Sequence, residues 1–204
     1  MDITGNRATR SWRSDHNHGR ELMPAVVDSL AELSLTAKDV THIAVALGPG
    51  GFSAVRVGIS VALGLAVANH LPIIGLPTHD IELHPFSSLL SSEYPVYTLL
   101  PAGRNEVSWT RHFIDVSPST GVLTPDELAL QIEPNSILCG EAYALMASIV
   151  DKSHFRDQTT PTRDPNSVLD IAHVKFDAGH STPYKELRPI YARPPSITEP
   201  NPAK

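Results

Sequence analysis

THIAVALGPGGFSAVRVGISVALGLAVANHLPIIGL, Thr41–Leu76, is the stretch on which the fold turns. Thr41–Leu47 is a β-branched, nearly continuous apolar run, the pattern of a strand covered on both faces. Gly48-Pro49-Gly50-Gly51 makes a sharp turn. Phe52–Asn69 then reads as a helix and Pro72–Leu76 as a second buried strand. A strand–helix–strand order of this kind implies an α/β layer architecture with parallel pairing.

The helix is apolar on every side. Ala54, Gly58, Ala62 and Ala66 form a row of small residues at four-residue spacing, beside Val55, Ile59, Leu63 and Val67. Val57, Val61 and Leu65 lie on another side, and Arg56 is the one charged residue. A helix with no polar face must be covered all round. One side can pack on the sheet. The other needs more cover than the preceding helix, Gly19–Leu33, can supply. Burying three further Val or Leu side chains would contribute roughly 1.5–3 kcal/mol each. The pattern points to a protein interface, the alternative being a helix central in its own domain; the interface takes Leu22, Val26, Leu30 and Leu33 from the first helix. Val55, Gly58, Ile59, Ala62, Leu63 and Ala66 complete it from the second.

Working outward, Asn6–Ser14 offers a weak strand pattern. Pro24 fits the Gly19–Leu33 helix only within its first turn. Thr78–Leu90 reads as a helix broken near Pro85. Val96–Leu100, Glu106–Ile114 and Ser136–Cys139 read as strands. Pro125–Ile132, capped by Thr124, and Glu141–Val150 and Asn166–Ala178 read as helices. A boundary near Glu93-Tyr94-Pro95 separates two α/β subdomains, 1–94 and 95–195. Prolines crowd the C-terminus, so 196–204 reads as an extended tail.

The bulk numbers narrow the function. The chain has 204 residues, 41% hydrophobic, 19% charged, with a formal net charge of −6. That charge argues against an electrostatic nucleic-acid scaffold, although Arg7, Arg10, Arg13 and Arg20 could form a local stripe or merely a solvated face. Asp2 and Asp15 interrupt any transit-peptide character. A single cysteine, Cys139, excludes an internal disulfide and a multi-cysteine zinc site. No apolar run reaches the ~20 residues of a membrane span, and the chain reads as cytoplasmic.

Catalytic chemistry is not visible. The glycine turn has the position of a phosphate cradle but lacks the Lys-Ser/Thr ending of a P-loop and the spacing of a dinucleotide fingerprint. Tight turning and close helix–sheet packing account for its glycines. His79 and His84 lie about 140° apart around a helix and share no face. His16 and His18, as two loop ligands, are too few. The reading is no catalytic residue, no metal and no cofactor.

The residues resemble a known family. GPGGFSAVRVG, Gly48–Gly58, resembles the GPGSFTGLRIG stretch of bacterial TsaB proteins, and Leu76–Glu82 follows where that family begins its next helix. Ala102–Val107 is similar to its DARRGEV segment, and Leu187–Pro195 resembles its closing LxPxYLRPP. These segments agree in order and spacing over roughly residues 15–195. The resemblance implies an actin-like, Hsp70-like ATPase-type α/β fold of ribonuclease H-like subdomains, in a glycoprotease-like superfamily.

It also implies a scaffold subunit that dimerises with a TsaD-like catalytic paralogue, joined by a TsaE-like ATPase. The complex adds threonylcarbamoyl to the adenosine beside the anticodon of ANN-decoding tRNAs. The pairing surface there is a bundle of the first two helices. The metal-binding His-x-x-x-His of the catalytic paralogues matches Thr78 and Glu82 here, and a peptidase reading has no residue support. Gly51, Ser53 and Ala54 replace the usual Ser, Thr and Gly. The family's opening ILALDTS strand and its hairpin are missing from the match, so a truncated or mis-assigned start is expected, with the edge of Thr41–Leu47 open. Two other readings stay open: a nucleotide-binding enzyme of the sugar-kinase and Hsp70 superfamily, and a homodimeric structural module.

Overall fold

A computed structural model describes residues 2–3, 6–14, 17–91, 93–151 and 162–193. The expected tail 196–204, the Pro194-Pro195 end of the closing motif, and Asp15 and His16 lie outside the described residues.

The stretch Thr41–Leu76 folds as its pattern requires. β3 (Ile43–Gly48), α2 (Phe52–Asn69) and β4 (Ile73–Pro77) form one unit in which β3 and β4 pair parallel. Because strand side chains alternate, Val45 and Ile73 face α2 and form a core with Ile59, Ala62, Ala66 and Leu187. Ile74 and Leu76 face the other way, against Ile81 and the flanking Val168 and Ile171. Those last two residues belong to α6 (Pro165–Asp177), and Ile81 to the short α3 (Thr78–Leu83). Helices thus cover both faces of a sheet only two strands wide.

The N-terminus does hold a hairpin, of two-residue strands β1 (Asp2–Ile3) and β2 (Asn6–Arg7). It forms a sheet of its own, so among the described residues β3 has one strand partner, β4. The longer strand expected over Asn6–Ser14 stops at Arg7. Beyond it the chain is held by side chains, Arg7 to Asp170, Arg10 to Glu32 and Trp12 to Glu21. α1 runs His18–Glu32, and Pro24 lies beyond its first turn. The carbonyl one turn back, at Arg20, therefore loses its helical donor.

The second half builds a four-stranded sheet in the order β7-β6-β5-β8. Its strands are β5 (Val96–Ala102), β6 (Glu106–Phe113), β7 (Val116–Leu123) and β8 (Ile137–Cys139). Pattern reading passes over β7 because Pro118 and Gly121 interrupt it. Both are tolerated here. β7 is an edge strand, where a missing N–H costs little, and at Gly121 a Cβ would lie 2.8 Å from the Trp109 ring. α4 (Pro125–Ala129) begins with a Thr124–Glu127 capping box, and α5 is a single turn, Tyr143–Met146, shorter than the expected Glu141–Val150. Leu128, Ala142 and Met146 close one face of this sheet over Tyr97, Leu99, Val107 and Leu138.

The opposite face is polar and meets α3. His79 Nδ1 lies 2.8 Å from the Thr98 hydroxyl and its Nε2 3.1 Å from Ser108 Oγ, while His112 Nε2 lies 3.1 Å from the same Thr98 hydroxyl. These four side chains are buried. Burial, and for His79 the neighbouring His112, pushes both imidazoles down from 6.5 to about 4, so both rings are neutral in the fold. A polar peg thereby fastens the first half of the chain to the second.

A second fastening runs along Leu187–Arg193. Ile190 donates its N–H to the Leu47 carbonyl, Tyr191 stacks on Phe52, and Arg193 pairs with Glu106 on β6. This strap explains Gly48. At φ 101° a Cβ there would lie 2.5 Å from the Ile190 carbonyl oxygen. Gly48→Ala is expected to lose about 2 kcal/mol or more, from positive-φ strain and the clash together. Urea unfolding of the two proteins checks it, and equal midpoints would contradict the close approach.

The histidine peg makes a pH prediction. Each ring binds a proton in the unfolded chain near 6.5 but in the fold only near 4. Stability is therefore complete above pH ~6.5 and falls as pH drops toward ~4, by roughly 3 kcal/mol for each ring at 1.36 kcal/mol per unit. Denaturation midpoints measured from pH 7 to 4 should fall steeply, and His112→Gln should flatten the fall.

Candidate functional site

α2 shows which of its sides are used. Ile59, Ala62 and Ala66 are buried in the chain's own core, Val55 and Leu63 pack against it, and Leu30 of α1 is also buried. These expected interface residues face inward. Leu22, Val26, Leu33 and Gly58 remain partly exposed. The exposed apolar surface lies instead at Val27 and Met23 of α1 and at Phe52 and Val67 of α2, with Val57 and Val61 half-buried between.

The physical reason is geometric. Four residues turn a helix by about 400°, so a row at that spacing drifts about 40° at each step. The small-residue row thus winds from the outer side at Ala54 and Gly58 onto the sheet at Ala62 and Ala66. Small residues at its end let α2 sit close on β3. Elsewhere small residues face open space: a Cβ on Gly58, in this row, or on Gly64, about 120° round the helix from it, would meet nothing within 4 Å. Length and composition alone would let α2 cross a bilayer, and 17% of it is buried. Its buried side, however, is a contact with β3 and β4.

The turn before α2 is enclosed rather than open. Gly51 is the N-cap residue of α2 without a side-chain cap. The Arg163 guanidinium lies beside Gly50, where a Cβ would be 3.3 Å from one of its nitrogens, and it pairs with Glu141. Arg163 also donates its backbone N–H to Glu82 at 3.0 Å. Burial pushes the Glu82 carboxyl up to about 7, against the pull of Arg163. Thus Gly48, Pro49, Gly50 and Gly51 form a structural turn around which the strap, Arg163 and α2 meet, the long-range contacts that no local pattern announces.

The positions matching a catalytic metal site are occupied otherwise. Thr78 and Glu82 are buried, and Glu82 is bonded to Arg163. His79 is bonded to Thr98 and Ser108, and His84 starts a separate 3-10 turn. Among the described residues no three His, Cys, Asp or Glu side chains come together as a metal-binding group. Cys139 is buried, and its surroundings push its thiol up, away from the reactive thiolate.

Comparison with known proteins gives this geometry a context. The family model described as TsaD: tRNA N6-adenosine threonylcarbamoyltransferase matches residues 13–123. The tRNA threonylcarbamoyladenosine biosynthesis protein TsaB of Escherichia coli (strain K12) is 25% identical over 187 residues, covering 86% of this chain and 80% of that protein. The tRNA N6-adenosine threonylcarbamoyltransferase of Bordetella pertussis is 40% identical over 93 residues, covering 44% of this chain but only 26% of that enzyme. Among solved structures, YeaZ from Pseudomonas aeruginosa superposes with a TM-score of 0.70 at 22% identity, over 86% of this chain and 84% of that one. That likeness shows the fold, the actin-like, ribonuclease H-like α/β architecture. With more than half of its residues under the family model, the chain belongs to the TsaD family, and over most of its length it is similar to TsaB.

Proposed function

We propose that this chain is a non-catalytic scaffold subunit in the addition of threonylcarbamoyl to the adenosine beside the anticodon of ANN-decoding tRNAs. It docks a TsaD-like catalytic subunit through the outer face of α1 and α2, a TsaE-like ATPase joins through the complex, and tRNA is met indirectly, in the cytoplasm. Residues 1–94 form the docking subdomain and 95–195 the supporting one.

The observation that carries this reading is the unspent side of α2. Val67 is 48% exposed and Val27 of α1 56%, and a Cβ on Gly58 or on Gly64 would meet nothing within 4 Å. A partner helix packed over a small residue such as Gly58 or Gly64 could approach to the roughly 8–10 Å typical of packed pairs. The TsaB relative's name places it in the same tRNA modification, and a scaffold role agrees with Thr78 and Glu82 standing where the catalytic paralogues carry histidines.

At Gly58 a Cβ would meet nothing within 4 Å, so Gly58→Leu sets a bulky side chain on an open part of α2. It should abolish co-purification with a TsaD-like protein while leaving circular dichroism and monomer yield unchanged. Ala62→Glu is no substitute, since Ala62 is buried and the charge would damage the fold itself. Undiminished capture by Gly58→Leu, or a homodimer that ignores the TsaD-like protein, would remove the docking assignment.

A further inference from the structure

Beyond the docking face, the carboxyl ends of β3 and β4 open into a cavity of about 570 Å3. In open α/β sheets, ligands sit in the crevice beyond the carboxyl ends of the strands, and this volume suits a small molecule. Both halves of the chain line it. Pro49, Pro77 and Ile190 give an apolar wall, and the hydroxyls of Ser108, Thr110 and Thr120 give a polar one.

Two charged side chains complete the lining, Asp80 and Arg193. Asp80 accepts no hydrogen bond from any described residue, and the nearest compensation is the more distant attraction of Lys175. Burial pushes its carboxyl up from the usual carboxylate range. Asp80 is half-buried and lines the cavity, so its carboxylate is open to a positive donor brought by a ligand. Arg193 pairs with Glu106 through one nitrogen, is 60% exposed at its side chain, and has five N–H donors to share. The cavity therefore presents one acceptor for a cation, one donor for an anion and a band of hydroxyls. A phosphate ester would match Arg193 alone and set its negative charge against Asp80, whereas a zwitterion offers each side chain an opposite charge.

We propose that this cavity binds a small zwitterion of the α-amino-acid class, its ammonium on Asp80, its carboxylate on Arg193, and a polar side chain along Ser108, Thr110 and Thr120. The site is independent of the α1–α2 face, so either assignment can fail without the other.

Isothermal titration of the full chain near pH 7.5 with L-serine tests it, with L-serinamide, N-acetyl-L-serine and adenosine monophosphate as comparisons. Saturable binding of L-serine is expected, weakened about tenfold or more when either charge is removed, with none by the nucleotide. Asp80→Asn should keep the wild-type circular dichroism spectrum and thermal midpoint, since it removes a charge without breaking a hydrogen bond, yet lose L-serine binding. Arg193→Gln should weaken it as well. No binding of L-serine, equal binding of the charge-deleted analogues, preference for the nucleotide, or unaltered binding by folded Asp80→Asn would each overturn the assignment.

Discussion

The structure rests on one mismatch: α2 is apolar on every side, and the sheet beneath it can cover only one. Ile59, Ala62 and Ala66 meet Val45 and Ile73, which fixes how α2 lies on β3 and how the turn before it must bend. What is left, from Phe52 to Val67 and across to Val27 and Met23 of α1, remains in contact with water. Each of these side chains is about half exposed, so it forgoes roughly half of the ~1.5–3 kcal/mol that full burial contributes. A partner surface that covers several of them recovers that energy, which counts toward the cost of association. The proposed docking function rests on that imbalance.

The rest of the fold compensates for a narrow first sheet. Two parallel strands do not stand alone, and here they are held by helices on both faces and by fastenings to the second half. One is the neutral pair His79 and His112 around Thr98. Another is the strap, which bonds Leu47, stacks Tyr191 on Phe52 with its hydroxyl accepting from Arg56 Nε, and reaches Glu106. Arg163 adds a third, joining the glycine turn to Glu141 and Glu82. All of these meet at the carboxyl ends of β3 and β4, which is why a cavity with converging polar groups forms there.

Local pattern was enough for the elements whose periodicity is strong. The β3–α2–β4 unit, the capped start of α4 and the amphipathic α6 are legible from residue spacing. β7 was hidden by Pro118 and Gly121, which only an edge position and the overlying Trp109 ring make acceptable. Over Asn6–Ser14 the pattern overstated a strand, because ion pairs to α1 and α6 hold that segment rather than a ladder. The candidate surface was half legible. Spacing showed that α2 must be covered but not which side faces the sheet, and the drift of its small-residue row carried Ala62 and Ala66 inward. The role of Gly48 depends on Ile190, more than a hundred residues away in sequence, and no local reading could supply it.

The most direct measurement of the docking claim is amide hydrogen exchange of this chain with and without a TsaD-like protein. The account predicts that slowed exchange on mixing concentrates in 18–32 and 52–69, the spans of α1 and α2, with the four-stranded sheet little changed. Protection confined to the second half, or none in α1 and α2 under conditions where the two proteins co-elute, would contradict it.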